Sequence, residues 1–464
     1  MLTTSNPPPR ECFTTGRTGA EDACLQIASI RPGSSKSRVR ATQSRLHHLV
    51  PLVAVQAVGF ACGIVGVRWS SSVIAPEILG AYGLLVSTQT FAAFVTHQGM
   101  VQHAQRYWTP RTSGRRYSRL LLGAMARPTL WLVVGLAGIL MLFTVTSGAA
   151  VGWGWWGWMV AVNLLALGAH LTHAALQAEQ RYWAHFAVSA ISSVTRSFLP
   201  LLLVLVGSAT LATLGAGFLL HTALWLTAGT LFLHGAWRRI DAPSAEPLEP
   251  PQRMIGAFFG AGLCGWIATN SPRWFAALAL TPETTGYFML AANLSAVVPA
   301  AISLIGVGYT FPPLFAASRA GASDAQLLRV TNRNVVGALL VGQTALVALA
   351  WCGPRLIGIV VDARYSNSMN WLLAAGGGAL ATVSASFYGN LLVARKHEAA
   401  CFWFFLGSTA FRVVLMAALA LAFSEQAFRI GLSLLAWPTA ALEWWLVQRW
   451  IGGQPNAEGA ITDR

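Results

Sequence analysis

Apolar stretches of about twenty residues alternate with short polar joints along most of the chain, and each stretch is long enough to cross a bilayer as a helix. A bilayer offers no water to open backbone groups, so helices are the expected form. The pattern predicts twelve spans, at 49–68, 78–99, 120–146, 155–178, 184–206 and 211–234, then 254–274, 285–311, 332–352, 371–394, 399–423 and 428–448. The longest joints are 353–370 and 235–253. The second holds Asp241-Ala242-Pro243-Ser244 and Pro250-Pro251 and reads as a linker. The expected organisation is a tail 1–48, a six-helix half 49–234, a cytoplasmic linker 235–253, a second half 254–450 and a tail 451–464. The tail 1–48 is rich in Ser, Thr, Pro and Arg, lacks an apolar face, and is expected to be disordered and cytoplasmic.

One pattern occurs twice. Pro76-Glu77-Ile78-Leu79-Gly80-Ala81-Tyr82 returns as Pro282-Glu283-Thr284-Thr285-Gly286-Tyr287-Phe288, about two hundred residues on. Each copy follows an apolar span carrying an Arg-Trp pair, Arg68-Trp69 or Arg273-Trp274, and precedes another apolar run. A duplicated helix–turn–helix in such a chain points to a transporter made of two related halves.

Composition supports the membrane reading. The chain is 55% hydrophobic and 10% charged, whereas soluble domains carry roughly a quarter charged residues. The net charge of +15 is unevenly placed. Arg10, Arg17, Arg31, Lys36, Arg38, Arg40 and Arg45 lie in the first tail, and Arg106, Arg111, Arg115, Arg116 and Arg119 follow span two. Joints after spans four, six, eight and ten add Arg181, Arg238, Arg239, Arg253, Arg319, Arg329, Arg333, Arg395 and Lys396. The opposite joints hold Arg68, Arg355, Arg364 and Arg429. This asymmetry predicts that both termini face the cytoplasm. The charges alternate with spans instead of forming one basic surface, which argues for lipid headgroups over nucleic acid as their partner. The six cysteines have no paired spacing, so neither a disulfide framework nor a zinc site is indicated.

The span ends carry a family resemblance. Gly99-Met100-Val101-Gln102-His103-Ala104-Gln105-Arg106-Tyr107 resembles the Gly-x-x-Gln-x-x-x-Arg-[Tyr/Phe] exit from helix two of the oligosaccharide flippases. Leu176-Gln177-Ala178-Glu179-Gln180-Arg181-Tyr182 and Asn390-Leu391-Leu392-Val393-Ala394-Arg395 are similar to that family's exits from helices four and ten. Both Pro-Glu turns are similar to its Leu-Gly-Pro-Glu-x-x-Gly-x-Tyr hallmark, and Phe311-Pro312 to the Phe-Pro closing helix eight. The likeness runs from about residue 50 to 450. It departs where the family has Asp-Arg and this chain has Pro272-Arg273, and where the family has an arginine and this chain has Ser72.

The resemblance implies an all-α polytopic protein of the multidrug/oligosaccharidyl-lipid/polysaccharide (MOP) superfamily, with two six-helix bundles in a MATE-like arrangement. It implies a non-enzymatic flippase in the bacterial inner membrane, without a cofactor or metal. The implied cargo is an undecaprenyl-diphosphate-linked oligosaccharide repeat unit, moved between leaflets by alternating access for surface polysaccharide synthesis. Membrane lipids and polymerase or export machinery are the implied partners.

A diphosphate headgroup crossing a bilayer needs cations where screening is weak. Arg196 and Arg412 lie near the middle of spans five and eleven, at equivalent places, each after a small polar pair (Ser192-Ser193, Ser408-Thr409). Both are candidates for the cavity, since ionisable residues at membrane depth are functional by default. The plainer reading is that each pairs or snorkels at a helix interface. Arg273 and Arg68, near span ends, are weaker candidates with an anchoring role as the alternative. Asn270, Asn293, Asn163 and Asn390 could line the path or bond neighbouring helices. His170 and His173 share a face but supply too few ligands for a metal, so packing or lining is expected of them and of His97. Tryptophans 153, 155, 156 and 158, and 444, 445 and 450, read as interfacial belts. In the turns, Pro76, Gly80, Pro282 and Gly286 read as structural, with Glu77 and Glu283 satisfying amides at the helix starts.

Glu77 and Glu283 fall at one set of span ends and Glu179 and Glu443 toward the other, so no carboxylate is expected at the midplane and no coupling ion is assigned. That counts against the main alternative, a MATE-like drug or small-molecule exporter. A membrane glycosyltransferase or polymerase would be expected to carry acidic groups in a sizeable outer loop, and 353–370 has only Asp362. Gln105-Arg106-Tyr107-Trp108 lacks the acidic, Gly-rich pattern of a major-facilitator carrier, and no phosphate-binding Gly-rich loop suggests an ATPase.

Overall fold

A computed structural model describes residues 35–107, 120–121, 123–147, 153–179, 181–237, 251–306, 310–356, 359–395, 398–422 and 424–452. Expectations for the first tail up to residue 34, for most of the linker and for the end of the second tail lie outside these residues. Among the described residues the regular secondary structure is helical, apart from an isolated bridge at Val361. The first half comprises α1 (Ser35–Val73), α2 (Pro76–Ala92), a π-helical turn (Ala93–His97), α3 (Gln98–Tyr107), α4 (Ala126–Ser147), α5 (Trp153–Ala178), α6 (Tyr182–Val206) and α7 (Leu211–Trp237). The second comprises α8 (Pro251–Ala279), α9 (Pro282–Ser295), α10 (Val297–Ile305), α11 (Phe311–Arg319), α12 (Asp324–Leu356), a 3-10 helix (Ala363–Trp371), α13 (Leu372–Ala394), α14 (Glu398–Ala422), α15 (Glu425–Leu434) and α16 (Ala436–Gly452). Helix α1 begins at Ser35, ahead of the start expected at 49.

Among the described residues eight helices are long and apolar enough to span a membrane, or nine when the bent pair α15–α16, at 46°, counts as one. Helices α1, α4 and α8 occupy predicted spans one, three and seven but fall short of the same test over the described residues. Polar content explains α8, which carries Asn270, Ser271 and Arg273 within a single turn. The chain is thus an all-α polytopic membrane protein, with eight or nine spans by this test among the described residues where the sequence pattern predicts twelve.

Packing builds each half separately and then joins them. In the first half α6 lies against α1 and α7, and α7 against α5. In the second, α13 is the buried centre, touching α12, α14, α15 and α16. Its Gly377 is so close to the Leu432 and Ser433 carbonyls, where α15 bends into α16, that a Cβ would stand 2.5 Å from the first. Lacking a side chain, Gly377 lets two backbones approach, while Gly376 and Gly378 make room for the side chains of Leu346 and Pro272; small residues are how helices associate where lipid removes the hydrophobic drive. The halves meet along α2 and α3, against α9 and α8. That seam has its own apolar core, including Leu84, Leu85, Phe91, Val95, Trp266, Trp274 and Met289.

The two Pro-Glu turns define one end of the bundle, the turn end. There α2 and α9 cross, and the repeated glycines touch each other. A Cβ on Gly80 would lie 3.2 Å from the Gly286 nitrogen, and one on Gly286 would collide with the Pro76 carbonyl. Lower down, Gly262 of α8 lies against the Phe94 carbonyl within the π-helical turn. Such turns are rare and interrupt the regular hydrogen-bond ladder, and here the interruption coincides with the tightest contact between α2–α3 and α8.

Candidate functional site

The structure separates the four candidate arginines into two kinds. Arg196, fifteenth residue of α6, is exposed although it lies mid-helix. It is within electrostatic range of Tyr82 on α2, His221 on α7 and Arg273 on α8. Arg273 is half-buried and donates to Asn270 Oδ1 at 3.3 Å. Asn270 is buried and donates across the seam to Thr90 Oγ1 at 3.3 Å, and to the Trp266 carbonyl at 3.1 Å. Trp266 itself donates to the Ser87 carbonyl at 3.0 Å. Two guanidinium groups from opposite halves therefore share one polar region, and neither is ion-paired among the described residues. Like charges brought together at low screening repel, and an anion between them relieves that repulsion.

Arg412 has a different setting. It is fully buried and forms a salt bridge of 2.5 Å with Glu443 on α16, which also accepts from Ser408 at 2.5 Å. The neighbouring Thr409 donates to the Cys264 carbonyl of α8 at 3.1 Å. Glu443, eighth residue of α16, lies far enough along its helix to meet the mid-helix Arg412. Equivalent sequence positions thus lead to unlike surroundings. The adjacent helix offers Arg412 a carboxylate and offers Arg196 the imidazole of His221.

Arg68 belongs to the turn end. It pairs with Asp362 at 3.8 Å, both side chains partly exposed. Asp362 also pairs with Arg364 at 3.5 Å, and its amide donates to Ser71 Oγ at 3.0 Å. Arg364 donates to the Ser72 carbonyl, and Tyr365 to the Ile74 carbonyl at 2.9 Å. The segment 361–365 of the second half therefore straps the end of α1. Ser72, where the resembled family has an arginine, receives a guanidinium from Arg364 instead. No sequence signal marked this segment beyond its single carboxylate.

The duplicated turns serve unequal purposes. Thr281 caps α9, accepting from the Thr284 amide at 3.2 Å, whereas Ala75 gives α2 no side-chain cap. Glu283 accepts from the Tyr287 hydroxyl, so the cap role expected of it falls to Thr281. Tyr287 stands edge-on to Tyr365, with centroids 5.8 Å apart. Tyr82, after the first turn, faces Arg196 instead. Glu77, Gly80, Ala81, Leu84, Ala277, Pro282 and Thr285 line a small crevice at the crossing.

The remaining asparagines are less central. Asn163 and Asn390 each donate to a carbonyl one turn back in their own helix, at 2.7 Å. Asn293 is exposed in the last turn of α9. Buried His97 and half-buried His170 and His173 belong to a larger group of imidazoles in the first half. His97 and His170 have ring centroids 5.0 Å apart, and His173 and His185 4.0 Å. Among the described residues no group of three or more His, Cys, Asp or Glu is arranged to hold a metal.

Comparison with solved structures assigns the fold. The chain superposes on the lipid II flippase MurJ in an inward closed conformation with a TM-score of 0.61, at 12% identity, covering 88% of each chain. A MATE transporter in complex with MaL6 aligns with a TM-score of 0.58, at 12% identity, over 87% of this chain and 95% of that one. A Vibrio cholerae MATE transporter gives 0.52, at 11% identity, over 90% and 99%. No protein-family model and no curated relative matches the sequence. At these identities the likeness establishes a shared fold with MurJ and the MATE transporters, and no more.

Proposed function

We propose that this chain is a flippase that carries an undecaprenyl-diphosphate-linked oligosaccharide repeat unit across the bacterial inner membrane, for surface polysaccharide synthesis. The observation that carries the reading is that Arg196 and Arg273, from opposite halves, lie within electrostatic range of one another and have no ion-pair partner among the described residues. A diphosphate spreads its charge over several oxygens, and guanidinium groups bind such oxygens through paired N–H donors. The same pair of cations opposes a positively charged drug, because like charge at a binding site is a built-in rejection.

Alternating access assigns the parts. The turn end, taken as the periplasmic side from the Lys and Arg distribution, is held shut where Gly80 meets Gly286 and where 361–365 straps α1. The polyprenyl tail stays in lipid while the headgroup occupies the polar region between the halves. Tyr82 and Asn270 border that region and can bond to sugar or phosphate oxygens. Release outward requires the crossing of α2 and α9 to part. The fold of a lipid II flippase accommodates a lipid-linked cargo of this kind, and no catalytic group is required.

A chromosomal deletion tests the reading. Surface polysaccharide is expected to disappear while lipid-linked repeat units accumulate in the inner leaflet. Unchanged polysaccharide together with altered drug tolerance would replace the flippase with an exporter.

A further inference from the structure

Five histidines, three buried (His97, His185, His221) and two half-buried (His170, His173), form one connected group in the first half, on four different elements. His97 ends the π-helical turn, His170 and His173 lie on α5, His185 opens α6 and His221 is on α7. His170 stands edge-on to Trp225 with centroids 4.9 Å apart, His173 reaches the same indole at 6.2 Å, and His221 stacks on it at 6.2 Å. With the close pairs His97–His170 and His173–His185, every ring of the set touches another ring of the set or Trp225. The group runs from the end of the bundle opposite the turns, where His185 meets Gln177 at 2.8 Å, to His221 beside Arg196.

Simple packing accounts poorly for these residues. Leu or Phe would fill the same space without polar atoms, and a buried nitrogen without a partner costs about 1–3 kcal/mol. Both ring nitrogens of His97 and Nδ1 of His173 are buried without hydrogen-bond partners. Three rings are held at one nitrogen by neutral groups: His173 by Ser189 at 3.3 Å, His185 by Gln177 at 2.8 Å and His221 by Thr195 at 2.8 Å. Imidazole is the side chain whose ordinary proton affinity lies nearest neutral pH.

The surrounding charges are few. Arg196 acts on His221, and Tyr82 and Arg273 act in turn on Arg196. Among the other rings burial acts first, and His170 acts besides on His97 and His173, and His185 on His173. Buried His103 lies on α3, and Glu179 and Arg181 stand where α5 ends and α6 begins. A metal reading finds no support, since no three ligands converge.

We propose that His97, His170, His173, His185 and His221 form a proton-binding site in the first half, linked to the anion site at Arg196. A proton on His221 places a second positive charge beside Arg196, so proton and anion strengthen each other's binding, and the linkage is reciprocal. This second clause rests on Arg196 being the headgroup site; the proton site itself rests on the histidine geometry alone.

The experiment uses purified full-length protein in neutral phosphatidylcholine nanodiscs, labelled at histidine and read by solid-state NMR between pH 8 and pH 5. Of the ten histidines, His47, His48, His103, His234 and His397 lie outside the group. More than five imidazolium rings at pH 5 is the expected result, and five or fewer overturns the proposal without needing any variant. Proton uptake over the same range, measured with an indicator dye, is expected to fall by at least one proton per chain in His170→Gln/His173→Gln and in His97→Gln. Uptake equal to wild type in both, with both monodisperse, also overturns it. Inorganic pyrophosphate is then added as an anion probe. It is expected to increase proton uptake by wild type but not by Arg196→Ala; no increase in wild type, with the histidines still titrating, removes the link to the headgroup reading and leaves the proton site standing.

Discussion

Four arginines of the same formal charge meet three surroundings, and the consequences of removing each differ accordingly. Arg196 and Arg273 lie within electrostatic range of one another and have no ion-pair partner among the described residues, so on the proposed function their loss removes ligand contacts more than fold. A charge-assisted hydrogen bond contributes about 1.5–3 kcal/mol. Arg196→Ala and Arg273→Ala are therefore expected to lower complementation of a deletion strain roughly tenfold or more at normal protein levels, with Lys restoring only part because it lacks the bidentate fork. Arg412 shows the opposite behaviour. Removing one member of a buried pair leaves an uncompensated charge and costs about 3–5 kcal/mol. Arg412→Ala and Glu443→Ala should each lower the thermal midpoint in detergent, read by fluorescence-detected size exclusion. Arg412→Met/Glu443→Leu should recover most of that loss, since an apolar pair of similar volume needs no compensation. Recovery of stability without loss of complementation would assign the pair a purely structural role. All four arginines were visible in the sequence, whereas their partners were not: Glu443 lies 31 residues from Arg412, and Asp362 lies nearly three hundred from Arg68.

At the scale of elements, the repeated Pro-Glu-x-x-Gly turns have a purpose that neither copy reveals alone. Proline at the first helical position and an early glutamate start α2 and α9 in the same way. The glycine of each turn then lets one helix lie on the other. Leucine at Gly286 would drive its side chain into the Pro76 backbone, and overpacking of this kind costs about 1–3 kcal/mol. Gly286→Leu is accordingly expected to hold the turn end apart. Cysteine at Ala81, which lines the crevice at the crossing, should then react several-fold faster with a membrane-impermeant maleimide. Unchanged labelling would show that the crossing tolerates the bulk and does not gate. The strap 361–365 was read from sequence as an outer loop too poor in acids for catalysis. Its hold on α1 depends on backbone carbonyls at Ser72 and Ile74, which carry no side-chain signature.

On the scale of the whole molecule, orientation follows from charge placement and remains a prediction with its own test. A green fluorescent protein fused to the carboxyl terminus should fluoresce, and alkaline phosphatase fused there should be inactive, if that terminus is cytoplasmic. The reverse outcome would place the turns at the cytoplasmic end and invert the direction of opening proposed above.

Length and apolarity of the stretches determined by themselves that the chain spans a membrane many times as helices, because lipid leaves the backbone no other way to satisfy its polar groups. The repeated turn likewise revealed two related halves. What tertiary structure alone decided was the pairing of charges: which arginine meets a carboxylate, which meets an imidazole, and which faces a second arginine. Helix periodicity gives each residue a depth and a direction on its own helix, but electrostatic partners are set by the neighbouring helix, whose rotation and register arise only from packing. For that reason Arg196 and Arg412, alike in sequence, part company in the folded bundle, one exposed and without an ion-pair partner among the described residues, the other closed upon Glu443.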